Sequence, residues 1–386
     1  MIYLDHAAAT PMSEKAQRAM QPYLAMQFFN PSAAYLPAVE VRRQYEAAKD
    51  AIAHVIGAKG ADLVMTSGAT ESINLAFSLV ADDAAILVSA VEHPAVMENA
   101  RHRSNSQVVG VDQNGRIDLG DFAQRLSPQT QFVSVCLASS ELGTIQPISE
   151  LSRLITAERQ RRALAGEQTP LYFHCDASQG LGLMELKVAR LGVDLLTINA
   201  AKVYGPKGVG ALYISHRVRL QPQQLGGGQE MGLRSGTENV AGVIAFAAAV
   251  QEAARHLHAE QKRLRTLRVQ LQQSLADIPN IRFLGNTKTQ LPNFLTLSVA
   301  GLDAERLIFR LEDQGIYVST GAACAASKGR KSPTLQAIGL SEAEIAGSLR
   351  LTLGRLNDAE NVAAAGKLIR ETIIAEQERL AQSSAR

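Results

Sequence analysis

Residues 171–208 read LYFHCDASQGLGLMELKVARLGVDLLTINAAKVYGPKG. Two short apolar runs, Leu171–His174 and Leu195–Ile198, each give way to polar chemistry: Asp176 after the first, Asn199 and Lys202 after the second. A short run that stays apolar at every position fits a strand buried on both faces, the usual state of strands in a parallel sheet covered by helices. The same pattern recurs at Ala85–Val88 and Phe132–Leu137, and helical patterns occupy Val39–Val55 and Ile148–Leu164. Strands alternating with helices predict an α/β fold with a mostly parallel sheet. In such sheets ligands gather beyond the carboxyl ends of the strands, which is where these polar residues fall.

The composition shifts after Gly236. Val240 to Asp277 reads as one long helix rich in Ala, Gln, Arg and Leu, ended by Pro279. Strand patterns at Ile281–Leu284 and Phe294–Val299 follow, then a helix at Ala304–Gln314. This predicts a large α/β domain over residues 14–250 and a smaller α+β domain formed by 1–13 with 251–386. The final AQSSAR is expected to fray.

With 386 residues, 46% of them hydrophobic, the chain can bury a sizeable core, and its net charge of +2 offers no field for nucleic acid or a membrane surface. The basic residues between Arg255 and Arg268 read as a solvated helical face. Three cysteines make neither a disulfide framework nor a metal cluster. No basic leader and no apolar run of about 18 residues is present, so a cytoplasmic protein is expected.

Five segments carry chemistry. Thr66-Ser67-Gly68-Ala69-Thr70-Glu71-Ser72 joins the strand-like Leu63–Met65 to a helix, whose first N–H groups suit an anion with the Ser67 and Thr70 hydroxyls as further donors, although an ordinary helix cap reads the same way. Asp176 at a buried strand end needs a cation or several donors, or else caps the turn that follows. Lys202 follows a buried strand among small residues and suits an imine, with Lys207 of the Gly-Pro-Lys-Gly turn as its competitor. Arg350 alternates with apolar residues in Ser348-Leu349-Arg350-Leu351-Thr352 and needs an anion; Arg355 is the runner-up and reads as an ion-pair former. Cys324 sits among small and basic residues in STGAACAASKGR, a context for a reactive thiol, whereas Cys136 and Cys175 lie inside apolar strands and read as core.

Taken in order, LDHAAATP, TSGATES, VEHPAV, ELGTIQP, HCDASQG, AKVYGPKGVGALY, GGGQE, LRSGTEN, STGAACAAS and LRLTLGR resemble the cysteine desulfurases, a branch of the class V aminotransferases. The resemblance covers nearly the whole chain. It implies a fold-type-I pyridoxal 5'-phosphate enzyme with a seven-stranded sheet, working as a homodimer. The implied reaction converts L-cysteine to alanine and hands the sulfur to an acceptor or iron–sulfur scaffold protein. Lys202 matches the Schiff-base lysine, Asp176 the partner of the pyridine nitrogen, and Gln179 the donor to the ring hydroxyl. His93 matches the residue that stacks on the ring and moves protons. Ala69 and Thr70 match phosphate-binding positions, and Thr237 the residue that reaches the partner's phosphate. Arg350 matches the substrate-carboxylate clamp, Asn30 belongs to the kept Asn-Pro-Ser motif at the substrate side, and Cys324 matches the persulfide-forming nucleophile.

Several positions depart from the pattern. Ser140 stands where an Asn usually helps hold the substrate carboxylate, and Ala201 where a His usually contacts the phosphate. Asn199 replaces a Ser but offers a side-chain donor, Met231 replaces an Arg, and Tyr35 stands where His is common. These changes leave open a different class V enzyme, a lyase or aminotransferase acting on another amino acid.

Overall fold

The computed structural model describes residues 1–320 and 332–384. Cys324 lies outside the described residues. The strands, in chain order, are β1 (Ile2–Tyr3), β2 (Leu63–Thr66), β3 (Ala85–Ser89), β4 (Ser106–Val109), β5 (Thr130–Cys136), β6 (Tyr172–Asp176) and β7 (Leu195–Asn199). They continue with β8 (Gly210–Ile214), β9 (Ile281–Leu284), β10 (Phe294–Val299), β11 (Ile316–Tyr317), β12 (Ser319–Thr320) and β13 (Ser348–Thr352).

A seven-stranded sheet runs β2-β8-β7-β6-β5-β3-β4. Only β8 is antiparallel to its neighbours; β7, β6, β5, β3 and β4 pair in parallel. The expected fold class is therefore what the chain adopts. Both faces are covered, and successive strand residues feed opposite cores. Leu63, Met65, Leu87, Val133, Val135, Leu196 and Ile198 pack on one side. Val64, Ile86, Val88, Phe132 and Leu195 pack on the other. This is why the runs read as apolar throughout.

A second sheet, β12-β13-β10-β9, is antiparallel, and β1 pairs in parallel with β11. The long helix spans Val240–Leu275. Its first half places Phe246 and Val250 in the core under the large sheet, and its second half places Leu264, Leu267, Leu271 and Leu275 against Leu295, Leu297, Leu349 and Leu351. One helix thereby serves two cores. The basic face expected between Arg255 and Arg268 is only partly solvated. Arg268 is buried and donates to Gln290 at 3.1 Å.

The C-terminal helix, Ala359–Ser384, runs into the AQSSAR segment that was expected to fray. Its Val362, Ala365, Ile369 and Ile373 are buried in the second core, which anchors the helix. Among the described residues no helix is long and apolar enough to cross a membrane.

Candidate active site

The carboxyl ends of β5, β6 and β7 lie side by side, with Cys136 opposite Asp176 and Asp176 opposite Thr197. Asp176 is buried, and one carboxylate oxygen accepts from the Ser178 N–H (3.0 Å) and hydroxyl (2.6 Å). Of the alternatives read from the sequence, the turn cap is present: the carboxylate caps its own turn at the carboxyl end of β6. Beneath it His174 is fully buried between Ser134 (2.8 Å) and Thr197 (2.9 Å), and burial lowers its pKa to about 4. A neutral imidazole thus props up the strand end.

His93 is half-buried and caps the helix Pro94–Arg101, its Nδ1 accepting from the Ala95 N–H at 3.1 Å. Burial lowers its pKa, the Asp176 charge opposes that shift and the Lys202 charge adds to it. The structure therefore gathers three of the expected residues, His93, Asp176 and Lys202, within electrostatic reach of one another.

Asn199 ends β7 and its side-chain oxygen caps the following turn by accepting the Ala201 N–H at 3.1 Å. That turn projects Lys202, whose Nζ donates to the carbonyls of Ala7 (2.8 Å) and Ala8 (2.5 Å). Gln179 Nε2 donates to the same Ala7 carbonyl at 3.1 Å. Lys207, the competing lysine, is exposed and donates to the Thr10 carbonyl at 2.8 Å.

The segment Asp5–Thr10 is the hub that sequence reasoning did not find. Besides receiving both lysines, it supplies Asp5, whose Oδ1 accepts from Arg350 at 2.7 Å. Arg350 is buried, also donates to the Ser140 carbonyl at 2.8 Å, and its Nε has no partner. The anion expected for Arg350 is thus present within the chain, while one buried guanidinium N–H stays available. Ala7 N–H and the His6 ring Nδ1 tie the hub to Thr352 at 2.9 and 3.0 Å. The signal in the sequence was the acidic residue inside LDHAAATP, a stretch otherwise too small and apolar to be a surface loop.

The described chain leaves β12 paired with Leu349 and Arg350, and resumes at Ser332, whose hydroxyl donates to Glu141 at 2.5 Å. The first anchor of the segment bearing Cys324 therefore pairs with Arg350, and the second bonds Glu141, the residue after Ser140, whose carbonyl accepts from Arg350. Burial raises the Glu141 pKa to about 7 against the bonds from Ser332 and Thr334. The other two thiols, Cys136 and Cys175, are buried as expected, and burial pushes their pKa values well above the usual range.

On the other flank, helix Ala69–Phe77 begins at Gly68, with Ala69 and Thr70 at its first two positions and Thr70 exposed. The first bond inside the helix is Ser72 N–H to Gly68 O, so the N–H groups of Ala69, Thr70 and Glu71 precede it. A Cβ built on Gly68 would meet nothing within 4 Å, whereas one on Gly210 would lie 2.7 Å from Gly68 Cα. Strand β8 thus presses the loop into place and leaves a cradle in front of the helix. The expectation that Ser67 offers free donors needs correction: its N–H (2.8 Å) and hydroxyl both go to Glu71. Glu71, one helical turn on, folds back to cap the loop, and Arg234 holds its other oxygen at 3.0 Å.

Thr237 and Asn30 are both exposed, and Asn30 caps its own turn by accepting the Ser32 N–H at 2.9 Å. The loop carrying Thr237 is fixed by Glu230, a buried carboxylate that accepts from Lys49 (3.1 Å), Tyr45 (2.6 Å) and Met65 N–H (2.7 Å). Glu230→Ala would strand a buried ammonium, and we expect a loss of about 3–5 kcal/mol in denaturant unfolding. A loss below about 1 kcal/mol would show that the pair is not what fixes this loop. Arg355 pairs with Glu252 at 2.6 Å and stacks on Tyr204, the structural role expected of it. A cavity of about 620 Å³ borders Lys202 and Gln179, but His93, Asp176 and Arg350 are not in its wall.

With this geometry in place, comparison with known proteins is informative. A family model described as aminotransferase class V matches residues 2–364. Cysteine desulfurase IscS 1 of Archaeoglobus fulgidus is 38% identical over 371 residues, covering 94% of each chain. Cysteine desulfurase IscS of Dictyoglomus turgidum is 37% identical over 94% of this chain and 91% of its own. A solved NifS-like protein superposes with a TM-score of 0.88 at 30% identity, covering 96% of this chain and 98% of that one. SspA in complex with cysteine gives 0.76 at 28% identity, over 92% and 99%. The chain belongs to the class V aminotransferase family and, within it, to the cysteine desulfurases.

Proposed function

We propose that this protein is a pyridoxal-phosphate-dependent cysteine desulfurase that takes sulfur from L-cysteine onto Cys324. The observation that carries the reading is convergence: His93, Asp176 and Lys202 share one end of the sheet, and the strand leading into the Cys324 segment pairs with Arg350.

The residues present fit the cofactor. The open cradle before helix Ala69–Phe77 suits a phosphate, with Thr70, the N–H groups at the helix start and Asn199 as donors. Asp176 suits a protonated ring nitrogen, and His93 a ring face. When bound, pyridoxal phosphate supplies an electron sink for charge developing at the substrate Cα. Lys202 would hold it covalently and, once replaced by the amino group of cysteine, take the α-proton at Nζ. Gln179 would give up the Ala7 carbonyl for the ring hydroxyl. Arg350, with its spare Nε–H, would receive the substrate carboxylate in competition with Asp5. The Cys324 thiolate would attack the substrate sulfur, so that the substrate C–S bond breaks, a persulfide forms and alanine leaves.

The same reading gives a homodimer in which Thr237 serves the partner's phosphate. It is supported by exposed apolar residues at Leu24, Met26, Phe28 and Leu36, with Leu225 and Met231 on the loop before Thr237. It also divides the chain into domains 14–250 and 1–13 with 251–386, places the enzyme in the cytoplasm, and makes a sulfur-acceptor or iron–sulfur scaffold protein its partner. The test is an assay of alanine and sulfide from L-cysteine with the cofactor-loaded protein; release of neither would end this reading.

Ala201 leaves the phosphate cup short of one donor relative to the family. Ala201→His should tighten cofactor retention by roughly 5- to 150-fold, the equivalent of about 1–3 kcal/mol for one regained hydrogen bond. Equilibrium dialysis of the two proteins measures it, and equal retention would mean that Asn199 or another group already fills the place.

A further inference from the structure

Strand β3 ends at Ser89, and the chain turns through Glu92 to His93. Glu92 points inward. Its Oε1 accepts from the Ser89 hydroxyl and, at 2.7 Å, from the backbone N–H of Cys136 at the end of β5. Its Oε2 is buried without a partner. The ionisable groups acting on it are Asp176 at the end of β6 and the thiols of Cys136 and Cys175. Among the described residues no Lys or Arg pairs with it.

A carboxylate here would be a buried charge beside a second carboxylate, with no counter-ion. Keeping the proton costs less. Burial, reinforced by Asp176, raises the pKa to about 8. As a neutral acid the group still accepts both hydrogen bonds, so the turn bearing His93 stays fastened to β5.

We propose that Glu92 is a positioning residue that works as a neutral acid, tying the His93 turn to the end of β5 while adding no second negative charge beside Asp176. The inference rests on the roles given above to His93 and Asp176.

Glu92→Gln keeps the shape and the accepting oxygen but cannot ionise. The native carboxyl holds its proton up to about pH 8, while in the unfolded chain it releases it near the ordinary value of 4.5. Wild-type stability should therefore fall, relative to Glu92→Gln, as pH rises through that window, and level off above it. The first measurement is Tm of both proteins without cofactor between pH 5 and 9; a Tm difference that does not change with pH overturns the neutral acid. The second is kcat of the loaded enzymes, where the ratio of variant to wild type should rise about tenfold from pH 7 to pH 9. A flat ratio overturns the positioning role. Should Glu92→Gln not fold, infrared titration of the wild type decides the first point: a buried carboxyl C=O band must vanish near pH 8. The stability and infrared readings need neither cofactor nor cysteine, so a wild type that releases no alanine overturns the functional reading by itself.

Discussion

Lys202→Ala should abolish cysteine turnover, because in the proposed reaction one change removes both the covalent anchor of the cofactor and the base for the α-proton. Loss of the base alone is worth about 10²–10⁴-fold, and loss of the anchor removes the visible absorbance of the cofactor–lysine linkage. Lys207→Ala should keep that absorbance. The structure separates the two lysines: Lys202 reaches the Ala7 and Ala8 carbonyls beside Gln179, whereas Lys207 is exposed and fastens Thr10. Borohydride reduction followed by peptide mapping reads the answer directly. Label on Lys207 would reverse the assignment and move the reaction centre along the hub.

Cys324→Ser should stop sulfide release while cysteine still changes the cofactor's absorbance. In the proposed reaction Cys324 acts on the sulfur of a substrate already bound through its amino and carboxylate groups, and a hydroxyl is a far weaker nucleophile than a thiolate towards sulfur. Cys136 and Cys175 cannot stand in. Both are buried, and burial raises their pKa values far enough to keep them as thiols. Mass spectrometry of the wild type after a single turnover should find one added sulfur on the peptide containing Cys324. Added sulfur confined to Cys136 or Cys175 would end this mechanism.

Much of the site was legible because its residues violate the local pattern. Asp176, Lys202 and Arg350 are charged groups beside buried strands, and burial of a charge needs a partner, so each stands out in the sequence. The carboxylates that fasten the loops around the site did not stand out. Glu71, Glu92, Glu141 and Glu230 read as ordinary polar residues of loops and helix starts, since nothing local reveals that a side chain will turn inward. Only packing shows that Glu230 meets Lys49 and Met65 from distant segments, or that Glu71 takes the Ser67 donors assigned to a phosphate.

The sequence by itself determined the fold class and most of the strands, and it singled out Lys202 and Cys324 as the candidate lysine and thiol. Those depend on periodicity and on residue chemistry, both local properties. Two strand assignments, Ile281–Leu284 and Phe294–Val299, match the structure at both ends. Tertiary structure alone decided that Asp5–Thr10 joins the site and that Arg350 carries an internal anion 345 residues away in the chain. It also decided that one helix supplies two cores and that Arg268 is buried. The physical reason is the same in each case. Hydrogen bonds and ion pairs between distant segments form only after burial has brought the strand ends together, and no short window of sequence contains both partners.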